Sequence, residues 1–417
     1  MLPLIKTPIQ KIEKYEKLIS KELFREILKL SKELKGLKVF HVNAAPRGGG
    51  VAELLKSLIP LMKGAGLKAG WYVNPPGEKF FTLTKTMHNA LQGEDFEFPF
   101  SARRLYIRHM ELTAKLMQDM KPDLWVIHDP QPVGVAAYLP GFHPAVWRVH
   151  IDTSNPNKEA YGFIYPFMAM YDKVIFTCKD FIGPSVAKKK TMVFPPAIDP
   201  LMSKNIPLGL KEARIILQNF DIDLSRPLVT QVARFDPWKD PLGVVEAYKI
   251  AKKKIPGLQL ALLGLFLARD DPQGVKIYNE VKKKVKGDPD VFLFSDPEFL
   301  GGLRVDTFVN AFQVASDVII HKAIREGFGL SVAEAMWKGK PVIGGNVGGI
   351  KIQIKNGVNG FLVNNPRQAG QRIIQLIKNP RLSEKMGRYA KESVREKFLM
   401  PRLLRDHLKL YKEILNV

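Results

Sequence analysis

The chain has 417 residues, 46% hydrophobic and 25% charged, with a formal net charge of +23, a pI near 9.8 and a mean hydropathy of -0.09. That length exceeds one comfortable core, so two domains are expected, and the balance of apolar and charged residues excludes a disordered chain. No apolar run reaches the roughly 18 residues a membrane helix needs, no signal peptide is expected, and the single Cys178 excludes an intrachain disulfide and fits a reducing cytoplasm.

The positive charge favours acidic partners: nucleic acid, an anionic membrane or phosphorylated small molecules. A lysine-rich, heat-adapted surface is the plainer alternative. The lysines scatter along predicted helices and aromatics do not interleave with them, so neither a nucleic-acid nor a membrane partner is expected.

In chain order, residues 1–35 read as helix, with Ile12, Tyr15, Leu18, Ile19, Leu23, Ile27 and Leu30 at three- and four-residue spacing. "LKVFHVNAAPRGGGVAELLKSLIPLMKGAGLKAGWYV" reads strand, glycine loop, helix, strand: a βαβ unit, hence a parallel sheet. Buried strands are expected in "DLWVIHD" (123–129), "PAVWRVHID" (144–152) and "KVIFTC" (173–178). "VFPPAIDPLMSKNIPLG" is proline-rich and aperiodic and reads as an interdomain hinge. The second half repeats the pattern through "PLVTQVARF", "LQLALLG", "VFLFS", "VIIHK", "KPVIGG" and "GFLV". The fold expected is α/β, two doubly wound Rossmann-like domains facing across a cleft, spanning 1–197 (acceptor side) and 198–395 (donor side). An amphipathic helix over 396–417 is expected to pack back on the first of them.

Such sheets bind ligands at loops beyond the carboxyl ends of their strands. In "RGGGVAELL" the glycines expose backbone amides at a helix start, which suits a phosphate or simple packing equally well; Glu53 stands where a dinucleotide fingerprint would need its third glycine. In "VARFDPWKD", Arg234 and Lys239 flank an Asp-Pro turn at a strand's end and suit a diphosphate, the alternative being two surface cations. "REGFGLSVAEAMWKG" leaves a strand and opens a helix near Leu330 and Ser331, with Glu334 expected on its first turn. Dipole compensation would account for Glu334 but not for Glu326, which lies in the loop. Two carboxylates around a phosphate seat suggest hydroxyl-bearing groups on either side, ribose and hexose, as in a nucleotide-sugar.

"EGFGLSVAEAMWKGKPVI", with seven residues between Glu326 and Glu334, resembles the signature of the retaining GT-B glycosyltransferases, the family of bacterial glycogen synthase and sucrose-phosphate synthase. The likeness continues through the GGG loop, "HIDTS", "VARFDPWKD" and "VGGI…NGVNGFLV", and within the family it points to the trehalose-forming members. The resemblance implies that Glu326 holds donor glucose hydroxyls and Glu334 the ribose, with Arg234, Lys239 and the amides at Gly329, Leu330 and Ser331 on the diphosphate. It also implies that Gly49 and Gly50 approach the distal phosphate and sugar, and that His150 sits beside the reacting carbon, donating to a sugar hydroxyl. The reaction implied moves glucose from ADP-glucose or UDP-glucose to free glucose by front-face attack with retention, without an obligatory metal, a divalent ion being at most modulatory. A glucan, sugar-phosphate or lipid acceptor stays open, as does assembly, a homodimer included. Relatives often follow the VGG turn with an acidic residue; here stand Lys351 and Gln353, and no role is carried over to that segment.

His128 and Asp152 are acceptor-site candidates, although His128 and Asp129 also suit a plain strand-end hydrogen-bonded pair, and Asp152 either orients His150 or caps a turn. His41 and His321 lack metal-ligand spacing, the five tryptophans read as core, and Asp236 reads as a turn former.

Overall fold

A computed structural model describes residues 1–47, 49–75, 77–265 and 272–416. The chain divides into two compact units, Met1–Ala197 together with Met400–Val417, and Ile198–Leu399.

The first unit is built on β1 (Lys38–Asn43), β2 (Lys68–Val73), β3 (Leu124–His128), β4 (Ala145–Arg148), β5 (Lys173–Phe176) and β6 (Thr191–Val193). They form one parallel sheet in the order β2-β1-β3-β4-β5-β6. All five residues of β3 are buried, as a strand covered on both faces requires. The helix Gly50–Gly64 makes the crossover from β1 to β2. The terminal helix Met400–Leu415 packs on the helix Lys21–Glu33, where Lys412 pairs with Glu33 at 2.8 Å and Arg405 with Glu26 at 3.3 Å.

Two local expectations change. Residues 1–35 are not one helix: a 3-10 segment Ile12–Leu18 ends at Ile19, and Ser20 caps a new helix by accepting the Leu23 N–H at 3.2 Å. Before it, the chain runs along β2, where Ile5 donates to the Trp71 carbonyl. The sixth strand, Thr191–Val193, is too short for period-two patterning and ends before Pro195 and Pro196, which is why the sequence reads as hinge there.

The second unit holds β7 (Leu228–Val232), β8 (Gln259–Leu263), β9 (Val291–Phe294), β10 (Val318–His321), β11 (Val342–Gly345) and β12 (Gly360–Val363). Its parallel sheet runs β12-β11-β10-β7-β8-β9. Alternation along the strands feeds two cores, one per face. Leu260 and Leu262 join Val245, Tyr248 and Ile373, whereas Ala261 and Leu263 join Phe308 and Phe312. Each fully buried leucine or phenylalanine contributes roughly 1.5–3 kcal/mol.

In both sheets the strand order reverses once, between β1 and β3 and between β7 and β10. Loops leaving neighbouring strands diverge there and open a crevice, which is where doubly wound sheets take ligands. Among the described residues no helix is long and apolar enough to cross a membrane.

Candidate functional site

In the second unit the loop after β7 is held in shape before any ligand arrives. Asp236 accepts the Trp238 N–H at 2.8 Å and caps the short turn Pro237–Lys239. Its other oxygen lies 3.0 Å from Nη2 of the largely exposed Arg234. The turn-forming expectation for Asp236 therefore stands. Asp240 adopts φ +46°, accepts the Gly243 N–H at 2.9 Å and pairs with the buried Lys322, which starts the helix Pro241–Lys252. Gln231, on β7, donates to the Lys239 carbonyl at 2.9 Å. The backbone under Lys239 is thus fixed from both sides.

The loop after β10 is tied to it. Ile324 donates to the Trp238 carbonyl at 2.8 Å, and the Arg325 guanidinium lies over the Trp238 ring, 4.9 Å from its centroid. Trp238 is therefore a loop residue rather than core, unlike Trp71, Trp125 and Trp147, which are buried.

These loops bring Lys239 and Glu326 together. Glu326 Oε2 accepts from Lys239 Nζ at 2.8 Å and lies 2.7 Å from His321 Nε2. Burial alone would push the Glu326 carboxyl up, but the Lys239 charge and the His321 hydrogen bond outweigh it and hold it far below the usual carboxylate range. Such a group is an acceptor for hydroxyl donors, and a poor base. His321 was passed over in the sequence, where it reads as a strand-end residue without metal spacing; its position five residues before Glu326 is the one signal that could have marked it. Its Nδ1 lies 3.4 Å from Ser331 Oγ, so the same ring touches the start of the next helix.

That helix, Leu330–Trp337, is capped by Gly329 at φ +82°, a conformation that L side chains rarely adopt, and has no side-chain cap. Gly349 packs so closely beneath the loop that a Cβ would sit 2.3 Å from the Phe328 Cα. The Gly349 N–H donates to the Glu326 carbonyl at 3.0 Å. Gln353, buried, donates to the Phe328 carbonyl and, at 3.2 Å, to that of Gly349. The segment to which the sequence assigned no role therefore braces the loop.

Glu334 falls on the second turn of its helix, not the first, so dipole compensation does not explain it. It is 3% exposed and pairs through Oε1 with Lys204 Nζ at 2.9 Å, a partner from the turns that open the unit. Lys338, one turn on, is brought down to about 8 by burial, with Glu334 opposing and Lys204 reinforcing.

In the first unit Gly49 caps the helix Gly50–Gly64 in an extended conformation, and a Cβ there would meet nothing within 4 Å. Gly48 lies outside the described residues. Beyond β3 and β4, His128 and His150 are joined, His128 Nδ1 to His150 Nε2 at 3.0 Å. His128 and Asp129 do not form the strand-end pair considered in the sequence. His128 bonds two histidines instead, and Asp129 accepts the His150 backbone N–H at 2.9 Å. Burial raises the Asp129 carboxyl to about 7. Asp152 takes the second of its two expected roles. It accepts from Ser154 N at 2.9 Å and Oγ at 2.6 Å in a local turn, and the orientation of His150 falls to His128 and Asp129. Cys178 is buried at the end of β5, and burial pushes its thiol up to about 11. Among the described residues no group of three or more His, Cys, Asp or Glu is placed to hold a metal ion.

Two family models match the chain: the N-terminal domain of trehalose synthase over residues 41–183, and glycosyl transferases group 1 over residues 213–393. A trehalose synthase of Rubrobacter xylanophilus is 42% identical over 97% of each chain. Among solved structures, sucrose-phosphate synthase from Thermosynechococcus elongatus superposes with a TM-score of 0.67 at 16% identity, covering 91% of this chain and 99% of that one. Anabaena HepE, in complex with UDP and glucose, gives 0.64 at 16% identity over 90% and 99%. With two parallel six-stranded sheets and a full-length likeness of this strength, the chain belongs to the trehalose synthase family of GT-B glycosyltransferases.

Proposed function

We propose that the chain is a retaining glucosyltransferase that moves glucose from ADP-glucose or UDP-glucose to free glucose, giving α,α-trehalose. The observation that supports this most is the cluster in which Lys239 and His321 share one oxygen of Glu326, between the loops that leave β7 and β10. An ammonium has three N–H donors and Lys239 gives one of these to Glu326, so two remain for phosphate oxygens. Arg234, mostly exposed on the same loop, offers the flat fork that suits a diphosphate. The amides at Gly329, Leu330 and Ser331 add the positive end of a helix.

Together these groups stabilise the negative charge that grows on the departing nucleoside diphosphate, which is electrostatic preorganisation and asks for no obligatory metal. Glu326, ionised throughout the neutral range, accepts hydroxyls of the transferred glucose. Glu334, held by Lys204, accepts those of the ribose. Open space at Gly49 suits the approach of the distal phosphate and sugar to Gly49 and Gly50, and His150 addresses a sugar hydroxyl. One oxygen of Glu326 is already taken by Lys239 and His321, and the reaction is read as front-face attack in which the leaving phosphate takes the acceptor's proton. Retention at the donor and reaction at the acceptor's own anomeric hydroxyl give an α,α-1,1 linkage.

Incubation of the protein with ADP- or UDP-glucose and glucose should yield a non-reducing disaccharide that trehalase cleaves. A product with a reducing end, or one formed only with glucose phosphate, maltose or a lipid acceptor, would replace the acceptor assignment.

A further inference from the structure

The first unit contains a line of polar rings of which the proposed reaction uses only the last, His150. Starting on the terminal helix, His407 Nδ1 lies 3.2 Å from the Tyr411 hydroxyl, which lies 3.4 Å from His41 Nε2. His41 Nδ1 lies 2.9 Å from His128 Nε2, and His128 Nδ1 lies 3.0 Å from His150 Nε2. His41, His128 and His150 stack along the sheet with centroids 5.2 and 5.3 Å apart. His41, His128, His407 and Tyr411 are each no more than 1% exposed, while His150, the last ring, is half-buried. Burial holds the histidines neutral, His41 down to about 3 and His128, His150 and His407 well below the usual range.

A neutral imidazole has one N–H and one lone pair, so each ring must donate on one side and accept on the other. The hydroxyl of Tyr411 obeys the same rule here. The line therefore has two self-consistent arrangements. Either every proton points toward His150, leaving Nδ1–H as its outward group, or every proton points toward His407, leaving a lone pair on His150 Nδ1. A break anywhere removes this constraint.

The surroundings choose between them. The Phe194 ring packs edge-on against His407 at 5.6 Å, and the carbonyls of Phe194, Pro195 and Pro196 accept from Arg148 and Arg402. Both guanidiniums are buried, and Arg148 Nε and Nη1 and Arg402 Nε have no partner. Arg402 is paired with Asp406 at 2.7 Å, so the unpartnered N–H groups rather than net charge distinguish this end. They favour the lone pair of His407, which sends the protons toward His150.

We propose that this wire fixes His150 as its Nδ1–H form, so that the ring offers the transferred sugar a permanent hydrogen-bond donor and not a base. His128, His41 and Tyr411 are then positioning residues. The sugar half of this assignment rests on the function proposed above; the proton arrangement does not.

The test reads the two halves separately. The full chain, labelled with 15N-histidine, gives ring shifts that report which nitrogen carries the proton, without substrate. The eight histidines are few enough to assign by substitution. The wild type should show His150 as one tautomer, protonated at Nδ1. Tyr411→Phe should populate both tautomers and lower kcat several-fold with the donor KM unchanged. His41→Leu should do the same, and His41→Asn, whose amide can still bond His128, should restore the single tautomer and most of kcat. This pair serves if the phenylalanine variant fails to fold. A wild-type His150 protonated at Nε2 overturns the proposed direction and with it the donor role, and a tautomer indifferent to Tyr411→Phe and His41→Leu overturns the wire. Mixed tautomers with unchanged kcat would leave the wire standing and overturn the role of His150 at the sugar.

Discussion

The two units use the same sheet and the same position on it to opposite electrostatic ends. Where β7 and β10 part, the second unit gathers fixed charges: Lys239, Glu326, Arg234, and Glu334 with Lys204. Where β1 and β3 lie side by side, the first unit gathers four titratable rings and keeps them neutral by burial. A diphosphate is met by charge, which stays effective in a partly buried site. A glucose hydroxyl carries no charge and is met by hydrogen bonds of fixed direction. The difference teaches that the position on the sheet brings residues together, and that burial and partners decide their chemistry.

The largest expected effect comes from removing the centre of the charged cluster. Glu326→Ala should lower turnover roughly a hundred- to a thousandfold. It should also cost stability, at most about 3–5 kcal/mol, because the partly buried Lys239 loses its partner. Assays should therefore be paired with a denaturation curve, and Glu326→Gln, which keeps an acceptor for Lys239, should be the more stable of the two. Full turnover in a folded Glu326→Ala protein would remove the donor site from this cluster.

Next in size are the cations. Arg234→Ala and Lys239→Ala should each lower the rate about a hundredfold and weaken the nucleoside diphosphate in parallel. Isothermal titration separates these variants from Glu334→Ala, which should mainly weaken the nucleotide while turnover at saturation survives.

A third prediction concerns the neutral unit. The Asp129 carboxyl is raised from 3.8 to about 7 by burial, so between those values the folded protein holds a proton that the unfolded chain has lost. The contribution of this residue to stability should then fall as pH rises through that window, by on the order of 4 kcal/mol. The buried histidines act in the opposite direction, because the unfolded chain binds protons that the neutral rings refuse. Asp129→Asn, which still accepts the His150 N–H, should therefore make urea midpoints rise more steeply between pH 4 and pH 7 than in the wild type. An unchanged slope would show that Asp129 ionises normally. The smallest expected effect is that of a chelator: EDTA should leave most activity, and complete loss restored by one metal would reveal a ligand set among the residues proposed to bind the donor.

Local sequence made part of this legible. Glu326, Gly329 and Glu334 lie in one short stretch, in which Glu326 stands in a loop that helix-dipole compensation does not account for, and Lys239 lies five residues after Arg234. The strands were legible wherever the sheet buries both faces, and the three-residue β6 was not. What sequence does not carry is partnership across distance. Lys204 meets Glu334 only because the unit's opening turns fold against the helix Leu330–Trp337. His41, His128 and Tyr411 come from the first strand, the third strand and the terminal helix, and no spacing joins them. His321 shows no metal-ligand spacing in the sequence, and its partner in the fold is a carboxylate.

The most direct test of the contrast is to titrate UDP and ADP into the wild type, Lys239→Ala and His150→Asn by calorimetry, and to measure turnover of each. Lys239→Ala should bind the diphosphate about a hundredfold more weakly, while His150→Asn should bind it as the wild type does and still lose most of its turnover. Equal weakening in both variants, or weakening confined to His150→Asn, would contradict the division between a charged donor cluster and a neutral sugar cluster.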